Sequence, residues 1–277
     1  MTSLLNALRR IWPRLLLAAV LLPTLAWSAA TAALWWGQEG LLFHPVPLPA
    51  GTPLATAPDV HERMVDVPGA RLSVLELRLP EPRGVVFFLH GNSDNLQSWF
   101  VNLDFYRRAG FDLVMPDYRG FGKSTGRIES EAQLHADVLA VWRDVAPRYA
   151  GRPRVIYGRS LGTGLAAELA AQARPELTVL VSPYASIEGL ARQRYPWLPP
   201  QVLRYPLRTD LAVERIHGPL LLLHGDQDEV IPFAQSGLLQ ARAPAAQLVR
   251  IAGAGHNDIH KFDAYRQALA GALAALR

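Results

Sequence analysis

What most constrains this 277-residue chain is an alternation of short, unbroken apolar runs with longer amphipathic stretches. Runs at Arg63–Val67, Leu72–Leu79, Val85–Leu89, Leu113–Met115, Val155–Tyr157, Val179–Val181, Leu220–Leu223 and Leu248–Ile251 read as strands. Several carry no polar residue, as strands covered on both faces require. Between them, Glu131–Tyr149 places Leu134, Val138, Val141 and Val145 on one helical face, and Leu161, Leu165 and Leu169 recur every four residues. A last helix is expected over Lys261–Leu276. This order predicts an α/β domain built on a mostly parallel, eight-stranded, doubly wound sheet. In such sheets ligands bind beyond the carboxyl ends of the strands, so the loops that follow strands are where chemistry is sought.

Composition narrows the partners. The formal charge of +4 comes almost entirely from scattered arginines, since Lys123 and Lys261 are the only lysines. No zinc-finger spacing or other nucleic-acid motif accompanies them, so no nucleic-acid partner is expected. The chain has no cysteine, which excludes disulfides, thiolate metal sites and a cysteine nucleophile. Neither a metal nor an organic cofactor is expected.

The amino terminus is a separate matter. Arg9, Arg10 and Arg14 precede an uncharged stretch from Leu15 to Trp36, long enough for a membrane span of roughly 20 residues. Trp35 and Trp36 suit the aromatic belt at the far interface, and the arginines before the span place the rest of the chain outside the cytoplasm. The alternative is a signal peptide cleaved after Ala30-Thr31-Ala32, which would release a secreted protein. Residues 1–43 are therefore read as an anchor or signal segment, with removal expected to leave a soluble domain. Residues 44–60, rich in proline and poor in charge, read as an extended linker, and residues 61–277 as the domain.

Three strand-terminal loops carry the candidate chemistry. Gly158-Arg159-Ser160-Leu161-Gly162 is a G-x-S-x-G with a strand before it and a helix after it, a turn that lifts a serine hydroxyl above the sheet. A serine hydroxyl needs a neighbouring base to become a nucleophile. His256, in Ala252-Gly253-Ala254-Gly255-His256-Asn257-Asp258 after the last strand, is that candidate, whereas His260 falls at the start of the final helix. After Leu220–Leu223, the segment HGDQDEVIP offers Asp226, Asp228 and Glu229 as the acid that orients the imidazole. Asp228 is preferred, because Asp226 suits a turn residue after Gly225. Asp117-Tyr118-Arg119-Gly120-Phe121-Gly122-Lys123-Ser124 lacks either phosphate-loop spacing and reads as a structural loop at the site's edge.

HGNSDN, DYRGFGKSTG, GRSLG, HGDQDEVIP and GAGHND together resemble the α/β-hydrolase superfamily over about residues 61–277. With LLFHP after an apolar segment, the chain is most similar to the membrane-anchored α/β-hydrolase-domain branch, akin to monoacylglycerol-lipase-like and depalmitoylase-like enzymes. The resemblance implies a Ser160–Asp228–His256 triad and an oxyanion hole from the backbone N–H groups of Asn92 and Leu161. His90, beside that hole, is expected to tie the loop down. It further implies hydrolysis of carboxylic esters or thioesters, with a small acyl ester or lipid as substrate. A small helical cap is expected at about residues 186–215, where Arg192, Arg194, Arg204 and Arg208 interleave with Tyr195, Trp197 and Tyr205. That patch reads as a surface helix pair with snorkelling arginines or as a seat on an anionic membrane. Two further functions stay open: an aminopeptidase-like amide hydrolase, and a catalytically idle envelope-binding module on the same fold.

Overall fold

The computed structural model describes residues 2–276, with side chains from Ile11 onward. Eight strands form one sheet: β1 (Val60–Val67), β2 (Ala70–Leu77), β3 (Gly84–Leu89), β4 (Phe111–Pro116), β5 (Arg154–Arg159), β6 (Leu177–Val181), β7 (Leu220–Gly225) and β8 (Gln247–Ile251). Their spatial order is β8-β7-β6-β5-β3-β4-β2-β1. Neighbours from β8 to β4 are parallel, while β2 runs antiparallel to both β1 and β4. The expected mostly parallel, eight-stranded sheet is thus present, and the chain order reverses at β3, between β4 and β5. That switch point opens a crevice at the strands' carboxyl ends.

The main helices are α1 (Thr2–Leu42), α2 (Leu103–Ala109), α3 (Glu131–Val145), α4 (Gly162–Ala173), α5 (Ile187–Arg194), α6 (Thr209–Val213), α7 (Ala234–Arg242) and α8 (Asp263–Ala274). Both faces of the sheet are covered. Val85, Phe87 and Leu89 of β3 pack with Val138 and Val141 of α3 and with Leu165 and Leu169 of α4. Val86 and Phe88 pack on the other side with Leu269 and Leu273 of α8. Unbroken apolar strands follow from having a buried layer on each side. The helix expected to run to Tyr149 instead tightens into a 3₁₀ turn at Ala146–Tyr149, where Pro147 cannot continue the α-helical bonding. β4 begins two residues earlier than expected because buried Asp112 has partners there: it accepts from the Leu79 amide at 2.8 Å and the Tyr149 hydroxyl at 2.7 Å.

One buried charge on β2 has a consequence for stability. Glu76 is fully buried, facing Arg63 and Arg148 with Arg78 alongside. Burial alone would raise its pKa, but hydrogen bonds from Arg148 and Arg63 prevail and hold it down to about 2. A carboxylate with a folded pKa below its unfolded value stabilises the fold fully above the unfolded pKa, here 4.5, and loses that contribution as pH falls towards about 2. Glu76→Gln is expected to cost on the order of 2–3 kcal/mol at neutral pH, with the gap to wild type closing below pH ~3, in urea titrations at several pH values. A constant gap across that range would refute the ion-pair account.

The amino-terminal segment ends on the domain rather than apart from it. α1 runs unbroken through Pro13 and Pro23, and its last turns dock on the cap. Gln38 and Phe43 are each 5% exposed, and Phe43 meets buried Tyr205 edge-on at 5.3 Å. Residues 44–60, expected as a linker, lie along the domain. His44–Pro45 pairs in parallel with Ser93–Asp94, Leu48 N donates to Gly122 O at 2.7 Å, and Leu54 is buried. The expected boundary at residue 43 therefore falls inside a packed contact rather than at a seam.

The cap also sorts differently from its sequence. Tyr205 and Leu207 belong to the core, while Tyr195 and Trp197 stay exposed. Arg192 and Arg208 pair with Glu188, Arg208 also with Asp210, and Arg204 with Glu39.

Candidate active site

Ser160 follows β5 directly and holds φ at +53°, in the left-handed region that non-glycine residues seldom adopt. Its flanking glycines are required by close approach. A Cβ on Gly158 would lie 2.5 Å from Gly162 O, and one on Gly162 would lie 2.1 Å from Leu89 O. The turn is thus wedged between β3 and α4. Ser160 N donates to Val181 O at 3.0 Å, and the Tyr184 hydroxyl donates to Leu161 O at 3.0 Å, fixing the strained residue from both sides.

The structure brings the sequence-selected residues together. His256 Nε2 lies 2.9 Å from Ser160 Oγ, and His256 Nδ1 lies 2.8 Å from Asp228 Oδ2. The other oxygen of Asp228 accepts from the amides of Val230 at 3.0 Å and Ile231 at 2.7 Å. Burial pushes the Asp228 carboxyl upward in pKa, but hydrogen bonds from His224, His256 and the Ile231 amide outweigh it and keep the group well below the usual carboxylate range. Asp228 is accordingly a carboxylate at neutral pH.

Asp226 does something else. It accepts from Gly253 N at 2.8 Å and pairs with Arg250, bracing the loop after β8 against the loop after β7. Gln227 N adds a bond to Ala254 O at 3.0 Å, so the loops carrying Asp228 and His256 are joined side by side. His260 lies in a 3₁₀ turn at Ile259–Lys261, with no bond to Ser160 or Asp228.

Asn92 and Leu161 line the same cavity as Ser160 and His256, about 300 Å³ in volume. Neither backbone N–H has a protein acceptor among the described residues. Apolar side chains of Leu42, Ile187, Leu190 and Val230 complete the walls. A larger cavity, about 610 Å³, lies against α2 and α8; it shares Trp99, Arg159 and Asn257 with the first but contains none of the three relay residues.

His90 is fully buried, with Nδ1 2.7 Å from Gly91 O and its ring 4.2 Å from that of Tyr118. Its loop is tied from below as well, since the Tyr118 hydroxyl donates to His90 O at 2.8 Å. Gly122 has its own constraint: a Cβ there would lie 2.1 Å from Asp117 Oδ2.

Two contributors escaped sequence reasoning. His224, inside β7, sits 3.4 Å from Asp228 Oδ2 while its Nδ1 contacts Ser236 Oγ at 2.7 Å, so it braces the carboxylate from behind. Arg159 donates to the carbonyls of His256 at 3.1 Å and Asn257 at 3.2 Å and lies over Trp99, latching the histidine loop. A histidine within an apolar strand was a visible signal for the first. The second had none, because the loop it holds lies far away along the chain.

Comparison with known proteins finds relatives and the same fold among solved structures. A family profile described as serine aminopeptidase, S33, matches residues 80–209. The α/β-hydrolase domain-containing protein 17B of Xenopus laevis is 31% identical over 208 residues, 73% of this chain and 70% of the relative. Protein 17C of Xenopus tropicalis is 32% identical over 196 residues; there the match spans 69% of this chain but only 61% of the relative. Among solved structures, an esterase of Pyrococcus furiosus superposes with a TM-score of 0.67 at 18% identity, covering 85% of this chain and 97% of that one. The mouse α/β-hydrolase domain-containing protein 10 gives 0.58 at 22%, covering 77% and 97%.

Proposed function

The chain belongs to the α/β-hydrolase family, among its α/β-hydrolase domain-containing members, and on that premise we propose that it is a serine hydrolase of carboxylic esters or thioesters. The observation that carries the reading is the relay Ser160 Oγ–His256–Asp228, at 2.9 and 2.8 Å. Ser160 Oγ attacks the substrate carbonyl while His256 Nε2 takes its proton, and Asp228 holds the tautomer and stabilises the imidazolium. The tetrahedral oxyanion receives hydrogen bonds from the N–H groups of Asn92 and Leu161. His256 returns the proton to the departing alkoxide or thiolate, leaving an acyl-enzyme, which water cleaves by the same steps in reverse.

The walls favour an acyl chain over an amino-terminal residue. Leu42, Ile187, Leu190 and Val230 offer an apolar surface, while no carboxylate lines the cavity among the described residues. Arg159, which does line it, carries a positive charge that would repel the α-ammonium that an aminopeptidase must hold. The test is a chain-length series of p-nitrophenyl esters and acyl thioesters run beside an aminoacyl p-nitroanilide. Esters or thioesters are expected to turn over faster, and a nitroanilide preferred over all of them would transfer the reading to amide hydrolysis.

For the amino terminus we propose an uncleaved anchor with the domain on the extracytoplasmic side. The apolar stretch is a helix whose side chains face outward: Leu22, Leu25 and Trp36 are 66%, 62% and 76% exposed, and an 18-residue window within residues 11–42 has a mean hydropathy of 1.8. Full-length protein is expected to stay with membranes through a carbonate wash and to keep its original amino terminus by mass spectrometry. A mature start at Ala33 would make it a secreted enzyme.

A further inference from the structure

We propose that the end of the apolar helix is a working part of the active site, holding the oxyanion loop in position through a two-bond clamp on Asn92. The inference rests on the serine-hydrolase reading above. A helix leaves its last carbonyls without intrahelical partners. Here the Leu42 carbonyl at the end of α1 accepts from the Asn92 side-chain amide at 2.9 Å, and a following backbone amide, His44 N, donates to Asn92 O at 2.7 Å. The helix therefore passes its terminal hydrogen bonds to the loop that carries the Asn92 N–H, and one residue is gripped through its side chain and its backbone together.

The other side of the clamp is anchored in the cap. Gln38, buried although polar, donates to Val202 O at 2.8 Å and accepts from Arg204 N at 2.8 Å. The Tyr205 hydroxyl donates to Glu39 at 2.7 Å. Leu42 itself lines the catalytic cavity. Oxyanion donors work because they are fixed where charge will develop, before it develops. Asn92 gains that fixity from a segment whose apolar part faces outward, so a disturbance of the helix end reaches the chemistry directly. Asn92, Gln38 and Glu39 act here as positioning side chains, apart from the backbone donor itself.

The test uses the full-length protein in detergent micelles and a short p-nitrophenyl ester. Asn92→Asp keeps the shape and removes the donor to Leu42; it is expected to lower kcat by about 10- to 100-fold with KM within about twofold, since the lost contact acts on the transition state. Gln38→Ala, beyond Leu42 and outside the cavity, is expected to lower kcat by roughly 3- to 10-fold with the same split. Thermal unfolding of each variant is recorded in parallel. Wild-type kcat in Asn92→Asp, or a change confined to KM, would overturn the clamp. If Asn92→Asp does not fold, Gln38→Ala decides, and wild-type kcat there overturns it equally. A Ser160→Ala variant that keeps its turnover would remove the hydrolase reading instead, which separates the two failures.

Discussion

Ser160→Ala is expected to abolish labelling by a fluorophosphonate probe and to lower kcat by on the order of 10⁶. The expectation follows from the relay distances, because without Oγ neither His256 nor the two amides has a covalent step to assist. Some acceleration over water, roughly 10³-fold, is expected to survive through binding and the oxyanion hole. Alanine fits the same left-handed backbone no worse than serine, so the variant should fold normally and its inactivity should report chemistry. Equal labelling of both proteins would sink the assignment, and with it the choice of an enzyme over an idle binding module.

Asp228→Asn is expected to lower kcat by roughly 10³–10⁴ with little change in KM. The substituted carboxamide would keep an oxygen for the Val230 and Ile231 amides, so the loop should hold its shape. Its NH₂ group, however, would face His256 Nδ1 as donor against donor and drive the imidazole into the tautomer that cannot accept the serine proton. Asp226→Asn supplies the contrast, since it would lose only a surface ion pair with Arg250, which solvent screens, and keep its acceptor for Gly253 N. Steady-state kinetics of the pair decide the matter, and the reverse order of effects would move the acid by two residues. Because hydrogen bonds hold the Asp228 carboxyl well below the usual range, it stays ionised through the acid limb of any activity profile. A fall in kcat/KM on acidification is therefore expected to report a group other than Asp228.

How much of this was readable beforehand depended on whether the determining contacts were local. The central strands stood out because a two-sided core demands unbroken apolar runs, and the candidates Ser160, Asp228 and His256 stood out because strand-terminal loops with glycines are few. Asp112 blurred a strand start, since a carboxylate in a strand looks like an ending until its partners Leu79 and Tyr149 are known. Tyr205 read as part of a surface patch because its neighbours are arginines, yet it is fully buried against Phe43. Gln38 shows the limit most clearly. A polar residue after an apolar span marks a boundary by every local rule, and the bonds that make it interior come from Val202 and Arg204, 164 and 166 positions away.

The sheet's open edges bear on how copies of this protein coexist. On the proposed anchor, copies of the chain are confined to a plane, where neighbours meet far more often than in bulk solution, and an unpaired strand is the surface most prone to recruit another. The two outermost strands, β1 and β8, are guarded against it. β1 turns His61, Glu62, Arg63 and Asp66 partly or wholly to solvent, and β8 does the same with Gln247 and Arg250. A second sheet adding to either edge would have to strip water from those groups. Crowding on a surface should therefore leave the strands of neighbouring copies unjoined, and the domain can be dense without becoming fibrous.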